Sequence, residues 1–388
     1  MSINTIVGQA ATGENFYERP KLLNDIWRII ESGSNILLVA PRRVGKTSIL
    51  FYLSDNPKRG FRPLYLITES VNDENEFFRK LYGHIFELLD GIEKFSQRIK
   101  NLVGKNKISE ISKSGVKLED VKLDYYGALI KLFKILDLDG EKLIIMIDEF
   151  PETVENIKRD KTETDALRFL QKNRELRHSA IIKEKAQFIY VGSIGLENVV
   201  SKMNASSTID DLHSFGVPPF TEKESRDLIL DKILKNSEMQ IENEQVRFLL
   251  SKIEWLIPFY IQLIMDETYK LYSYEELKKI NNEVIERAID KSIQHKLYFD
   301  LWLSRLKTTF KGNEFSFVKS VLNHTSEKDT ISSAEIYNYA EGFNITEIYK
   351  NIINTLVYDG YINNNDNPKI YHFNSPILKR WWYKYVAN

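Results

Sequence analysis

Two stretches of this 388-residue chain carry side chains suited to phosphate chemistry, LLVAPRRVGKTSIL (37–50) and LIIMIDEF (143–150). A loop that grips phosphates reads G-x-x-x-x-G-K-[ST] between a strand and a helix. Gly45, Lys46 and Thr47 complete that pattern; Ala40 stands where the template begins with glycine, and Pro41, Arg42, Arg43 and Val44 fill the interior. Gly45 lets the backbone approach an anion with no side chain in the way. Backbone N–H groups where the following helix opens, through Ser48, point at the same anion. Lys46 would neutralise the β- and γ-phosphates of a nucleotide, and Thr47 would offer its hydroxyl to Mg²⁺. Alanine at position 40 is tolerable if that residue keeps an ordinary, negative φ.

The second stretch is an apolar strand ending in two carboxylates. Asp148, at the strand's C-terminal edge, would hold Mg²⁺, usually through water. Glu149 would orient or polarise the attacking water. The pair favours hydrolysis over binding alone. A third stretch, AQFIYVGSIG (186–195), is another apolar strand with a small polar end. If it lies beside the strand of Asp148, Ser193 reaches the γ-phosphate or the water; a plain strand-end turn is the competing reading. The expected catalytic set is therefore Lys46, Asp148, Glu149 and Ser193, with Thr47 and Asp148 on the metal.

These residues need a scaffold that brings several loops to one edge. The helical spacing of Leu22, Leu23, Ile26, Ile29 and Ile30 predicts a helix over 21–33. NILLVA and FRPLYLIT (61–68) read as strands, with TSILFYL between them as a helix. ENEFFRKLYGHIFELL (74–89) is an amphipathic helix. YYGALIKLFKIL and TDALRFLQKNREL are helices on either side of KLIIMIDEF. Apolar strands alternating with helices define an α/β protein with a parallel sheet. Residues 93–123 interrupt this rhythm, with eight Lys/Arg against four Asp/Glu and no strong apolar period. They are expected to form an exposed insertion, a hairpin or a loop.

Beyond Pro218–Pro219 the pattern becomes helical. FTEKESRDLILDKILK, ENEQVRFLLSKIEWLIPFYIQLIMDETYKLY, VIERAIDKSIQ and KLYFDLWLSRLKTTF are all helical stretches. Short helices over 331–340 and 345–357 then lead to two short strands in GYINNNDNPKIYHF and a final helix, PILKRWWYKYVA. Helix, helix, hairpin is the order of a winged helix-turn-helix. The expected organisation is a P-loop core over 1–220, a helical lid over 221–295 and a winged helix over 296–388.

Composition excludes several other classes. The chain has no cysteine, so disulfides and thiolate metal sites are ruled out. Its six histidines, at 84, 178, 213, 295, 324 and 372, form no close-spaced metal pair. Lys+Arg and Asp+Glu number 54 and 55, so bulk charge gives no support for a nucleic-acid coat. The opening MSINTIVGQAATGENFYERP lacks a basic start followed by an apolar run, so no signal peptide is expected there, and no apolar run is long enough to span a membrane. Cytoplasmic residence is the default expectation.

The run ENFYERPKLLNDIW … NILLVAPRRVGKTSIL … LIIMIDEF … FIYVGSIG resembles the archaeal-type branch of the STAND ATPases, relatives of the AAA+ class. LVYDGYI (356–362) and LKRWWYKY (378–385) resemble the branch's C-terminal winged helix, so the likeness spans residues 13–388. It implies ATP and Mg²⁺ as ligands. It also implies Phe16 and Arg19 near the adenine, Ser193 as sensor 1, and Pro258 approaching the nucleotide from the lid. Leu256 replaces the glycine of that lid motif, and no arginine there fits a sensor-2 role. An arginine serving a neighbouring subunit's ATP is expected too, with Arg174 and Arg177 as candidates. His372 reads as a structural histidine rather than a phosphate reader.

Three outputs fit such an engine. The first is a switch that closes on ATP and acts on a protein partner or self-assembles, in signalling or defence. The second is a DNA-handling ATPase, like initiators that join an AAA+ core to a winged helix. The third is an ATP-binding scaffold with negligible turnover. Residues 345–359 hold one lysine and no arginine, and the tail from Leu301 has ten Lys/Arg against eight Asp/Glu. A helix reading the major groove usually brings more basic or amide groups, although Asn351 and Asn354 remain as readers. The balance therefore favours a winged helix used for packing and switching, with Trp381 and Trp382 as core anchors.

Overall fold

The computed structural model describes residues 2–88, 110–112, 115–117 and 124–387. The chain forms two compact units. One comprises Lys21–Val39 and Ile49–Gly216; the other comprises Met1–Pro20, Ala40–Ser48 and Val217–Asn388.

The first unit is built on a parallel sheet. Helix α1 (Pro20–Glu31) starts on a proline, whose missing N–H suits a first helical turn, and buries Leu22, Leu23, Ile26, Trp27, Ile29 and Ile30. Strand β1 (Ile36–Val39) follows, then α2 (Lys46–Asp55), β2 (Phe61–Ile67) and α3 (Glu74–Glu87). Asp73 caps α3 by accepting the N–H groups of Asn75 and Glu76. A short antiparallel pair, β3 (Glu110–Ser112) and β4 (Gly115–Lys117), lies within the expected insertion. The rest of that insertion lies outside the described residues.

Next come α4 (Tyr125–Ile135), β5 (Lys142–Asp148), α5 (Phe150–Asp160), α6 (Glu163–His178) and α7 (Ala180–Lys185). Strand β6 (Ala186–Val191), α8 (Leu196–Lys202) and β7 (His213–Gly216) close the unit. The sheet order is β2-β5-β6-β1-β7, every pair parallel. All six residues of β6 are buried, as are six of the seven in β5. A sheet covered on both faces demands such continuous apolar strands. Strand β7 escaped the sequence reading because HSFG is short, polar and largely exposed at the sheet's edge.

The second unit is mainly helical. A capping box, with Thr221 and Glu224 satisfying each other's backbone N–H, opens α9 (Glu222–Asp227), which continues as a π turn over Leu228–Ile233. Helices α10 (Asn243–Ile253), α11 (Pro258–Tyr274), α12 (Asn282–Ser292) and α13 (Lys296–Thr309) follow. The helical stretch 242–272 is thus two helices, divided where Glu254 takes a φ of 56° and Pro258 restarts the chain. Helix α14 (Gly312–Lys328) and strand β8 (Thr330–Ser332) were not anticipated from sequence.

Helices α15 (Ser333–Gly342) and α16 (Tyr349–Tyr358), strands β9 (Ile362–Asn363) and β10 (Ile370–Phe373), and α17 (Pro376–Trp382) complete the chain. The three strands form an antiparallel sheet in the order β8-β10-β9. Trp381 and Trp382 are fully buried, the first stacked on Phe299 at 5.6 Å between ring centroids. His372 sits in β10, opposite Thr330 and Asn363. Among the described residues, no helix is long and apolar enough to cross a membrane.

Candidate functional site

The acid cluster belongs to the first unit. Because the sheet is parallel, the C-terminal ends of β1, β5 and β6 share one edge, and β6 lies between the other two. Asp148 ends β5 and is buried. Its Oδ1 accepts the Glu149 N–H at 3.1 Å, and its Oδ2 accepts the Tyr65 hydroxyl at 3.2 Å. Burial, with Asp148 next, pushes the Tyr65 phenol above its ordinary pKa, so it remains a donor to that carboxylate. The carbonyl of Asp148 takes both the N–H and the hydroxyl of Thr68, each at 3.0 Å. Thr153 in turn donates to the Thr68 carbonyl at 2.7 Å.

Glu149 sits in the left-handed region at φ 58°, a strained position for a residue with a Cβ. That turn carries its carboxylate to Ser193, whose N–H donates to Oε2 at 2.8 Å. The Ser193 hydroxyl donates to Glu152 Oε1 at 2.5 Å. Gly192 is required by packing: a Cβ there would lie 2.3 Å from Cδ of Pro151. The structure thus brings Asp148, Glu149 and Ser193 together. Sequence reasoning missed Tyr65, Thr68 and Glu152, which orient them. Tyr65 looked like an ordinary strand residue, and Glu152 like an ordinary first-turn acid.

The loop cluster belongs to the second unit. Ala40 is buried and is not among the positive-φ residues; Arg43 at 67° and Gly45 at 98° take the left-handed positions instead. The missing first glycine is therefore conformationally harmless. Lys46 is buried, and its ammonium donates to the carbonyls of Ala40 and Pro41 at 2.8 and 2.9 Å. Val44 is buried as well. Thr47 and Ser48 follow in the first turn of α2, and the Ser48 hydroxyl accepts the Ala11 N–H at 2.9 Å.

Arg43 turns away from the loop's interior. Its guanidinium lies 3.8 Å from the centroid of the Phe259 ring, directly after Pro258 at the start of α11, and donates to the Tyr298 carbonyl at 2.9 Å. Burial lowers its pKa to about 10, which still leaves it charged at neutral pH.

Phe16 is buried, but its neighbour Arg19 is committed to the protein. Arg19 donates to the carbonyls of Pro218 and Pro219 at 2.8 and 3.1 Å and to Glu224 at 2.9 Å. It clamps the chain where the second unit resumes at residue 217. Arg177 is likewise unsuited to serving a neighbouring subunit. It is buried, pairs with Asp211 at 2.7 and 2.8 Å, and donates to the Thr208 carbonyl at 2.6 Å. Arg174 pairs with Asp210 at 2.8 Å at the surface.

The donor chemistry fits Mg²⁺. In the first unit Asp148 offers a carboxylate whose orientation is fixed by two donors, and in the second Thr47 offers a hydroxyl; each by itself is a hard oxygen of the kind that Mg²⁺ takes. Among the described residues no group of three or more His, Cys, Asp or Glu could hold a metal by itself. Mg²⁺ bound through one carboxylate, water and substrate phosphates needs no such group.

The parallel sheet and its helices define the P-loop AAA+ ATPase fold. The solved Walker-type ATPase paby2304 of Pyrococcus abyssi is similar, with 15% identity, 96% of this chain and 97% of that chain covered, and a TM-score of 0.59. The Aeropyrum pernix ORC2 protein, solved in ADPNP–ADP complexes, is similar at 12% identity, covering 93% of this chain and 90% of that chain, with a TM-score of 0.54. No protein-family model and no curated protein matches the chain. At these identities the likeness is one of fold.

Proposed function

We propose that this protein binds ATP with Mg²⁺, hydrolyses it, and couples hydrolysis to DNA. The observation that carries the ATPase reading is the strand order. Strand β6 separates the strand leading into the phosphate loop from the strand ending in Asp148–Glu149, so their C-terminal ends lie two positions apart on one edge. Ligands of open parallel sheets bind at that edge.

In this reading Lys46 and the N–H groups around Gly45 hold the phosphates, and Arg42 belongs to the same loop. Thr47 and Asp148 hold Mg²⁺, which would neutralise charge developing on the phosphates. Glu149 accepts a proton from the attacking water. Ser193, held by Glu152, fixes where Glu149 points. Phe16 and Pro258 border the base, and residues 221–295 act as a lid.

For the output, one feature of the tail favours the DNA-handling reading over the partner switch. The order α14, β8, α15, α16, β9, β10 is that of a winged helix. Its third helix, α16, exposes Lys350, Asn351 and Asn354, and its hairpin exposes Asn365, Asn367 and Lys369. Amide side chains can read adenine edges, while two lysines supply few phosphate contacts. The expected binding is therefore weak and only mildly salt-dependent. A switch acting on a protein partner or on a second copy is the reading that replaces it if DNA binding is absent.

Phosphate release should be measured for wild type, Lys46→Ala and Glu149→Gln, with and without duplex DNA. Both variants are expected to lose at least tenfold in turnover. Wild-type turnover in Glu149→Gln overturns the role given to Glu149, and negligible release by wild type leaves only the scaffold reading. A gel shift across salt concentrations tests the output; no retarded duplex at 50 mM salt or below, on the order of the Debye regime where phosphate contacts are strongest, overturns the DNA reading.

A further inference from the structure

The turn that follows α16 is packed against the phosphate loop. Gly360 has a φ of 83°, and a Cβ there would lie 2.6 Å from Trp255 and 3.1 Å from Cβ of Pro41. Only glycine allows so close an approach, and the neighbours on both sides are rigid rings. The preceding residue, Asp359, is buried and receives a two-pronged contact from Arg305, with Nε to Oδ2 at 3.1 Å and Nη2 to Oδ1 at 3.0 Å. Tyr361, the next residue, anchors the turn from the other side, donating its hydroxyl to the Trp302 carbonyl at 2.7 Å.

Burial pushes the Asp359 carboxyl up, and three cations oppose that push: Arg305 first, then Arg42 and Lys46. Two of these three belong to the phosphate loop. A carboxylate and a phosphate oxygen make the same demand on such cations. Both cannot be served at full strength in a buried space, where like charges repel with little screening.

We propose that the Asp359–Gly360 turn is a gate on the phosphate loop. With the turn seated, the Asp359 carboxylate occupies the field of Arg42 and Lys46 in place of a phosphate. A nucleoside triphosphate drives it out, and the turn carries α16 and the β9–β10 hairpin with it. Arg305 holds the carboxylate in the seated state. This rests on the reading that the loop binds nucleotide, and it supplies the differential contact that any nucleotide-gated change requires.

The test is equilibrium binding of a fluorescent N-methylanthraniloyl ATP to the full chain. Asp359→Asn removes the competing charge at constant shape and is expected to tighten binding about tenfold, the factor that 1.4 kcal/mol of relieved competition supplies. The double variant Asp359→Asn with Arg305→Met removes the arginine left without its carboxylate, and it should tighten binding equally. Gly360→Ala leaves every charge in place but forces the turn off Trp255 and Pro41, so it should also tighten binding.

Tight binding by the variants with none by wild type supports the gate in its strongest form. Wild-type binding matched within twofold by all three variants overturns the gate and leaves the nucleotide reading intact. Tightening in the single Asp359→Asn variant but not in the double one also overturns it, because the gain would then come from a liberated Arg305. Binding by neither wild type nor variants overturns the nucleotide reading, and the gate with it.

Discussion

The acid cluster and the loop cluster are both suited to phosphate chemistry, yet they are held in opposite ways. Asp148, Glu149 and Ser193 are fixed by partners on the same sheet edge, namely Tyr65 and Thr68 from the β2 side and Glu152 from the helix that follows. The phosphate loop is fixed by residues far away in sequence. Arg43 rests on Phe259 and Tyr298, Ser48 on Ala11, and Pro41 against Gly360. One cluster is held by the sheet and the helix that directly follows its acid-bearing strand. The other depends on the chain beyond residue 217.

Two glycines test that contrast most sharply. Gly192 in the acid cluster is a packing requirement, because the ring of Pro151 fills the space that a Cβ would need. Gly45 in the loop has open space around its Cβ position but a φ of 98°. Gly192→Ala should therefore cost about 3 kcal/mol, the upper range for overpacking against a rigid neighbour. Gly45→Ala should cost about 1–2 kcal/mol, the penalty for a left-handed alanine. Urea denaturation of both variants measures the difference. Equal costs would mean that the acid cluster yields as readily as the loop, and the contrast would fail.

The next effect is smaller. Tyr65→Phe removes one hydroxyl donor from Asp148 and should cost about 1 kcal/mol in stability. If Asp148 works as proposed, its Oδ2 loses that donor and part of its orientation, and phosphate release should fall severalfold with little change in nucleotide affinity. A fall in affinity instead would place Tyr65 in the loop's service and blur the two clusters.

The same contrast explains what the sequence made legible. The acid pair was found because an apolar strand ending in two carboxylates is a local pattern, and the parallel sheet followed from the alternation of such strands with helices. Strand β7 was missed because an edge strand of four mostly exposed residues has no apolar signature. Ala40 raised a doubt that only the backbone angles of Arg43 and Gly45 could settle. Arg19 and Arg177 looked available to ligands because nothing local names their partners, which lie 205 and 34 residues away. The same holds for Asp359 and Arg305, 54 residues apart, and for the contact of Gly360 with Pro41. Long-range ion pairs leave no periodic trace in a sequence.

The smallest effect concerns how the loop-bearing unit is fastened. Burial alone would raise the Glu224 pKa, but hydrogen bonds from Arg19 and from the Thr221 backbone outweigh it, so the carboxyl is held below its ordinary value. A carboxyl with a depressed folded-state pKa contributes stability that is fully present above its unfolded pKa of about 4.3 and is lost as pH falls through the folded value. Arg19→Gln removes the cation and should cost under about 1 kcal/mol for the partly exposed pair at neutral pH, plus the hydrogen bonds to Pro218 and Pro219. The pair's part of that cost is pH-dependent and the carbonyl part is not. The stability gap between wild type and variant should therefore narrow as pH drops below about 4 and settle at the carbonyl share. A gap that stays constant from pH 7 to pH 3 would assign the whole effect to the carbonyls of the two prolines. Arg19 would then act as a backbone clamp with no electrostatic share in holding Glu224.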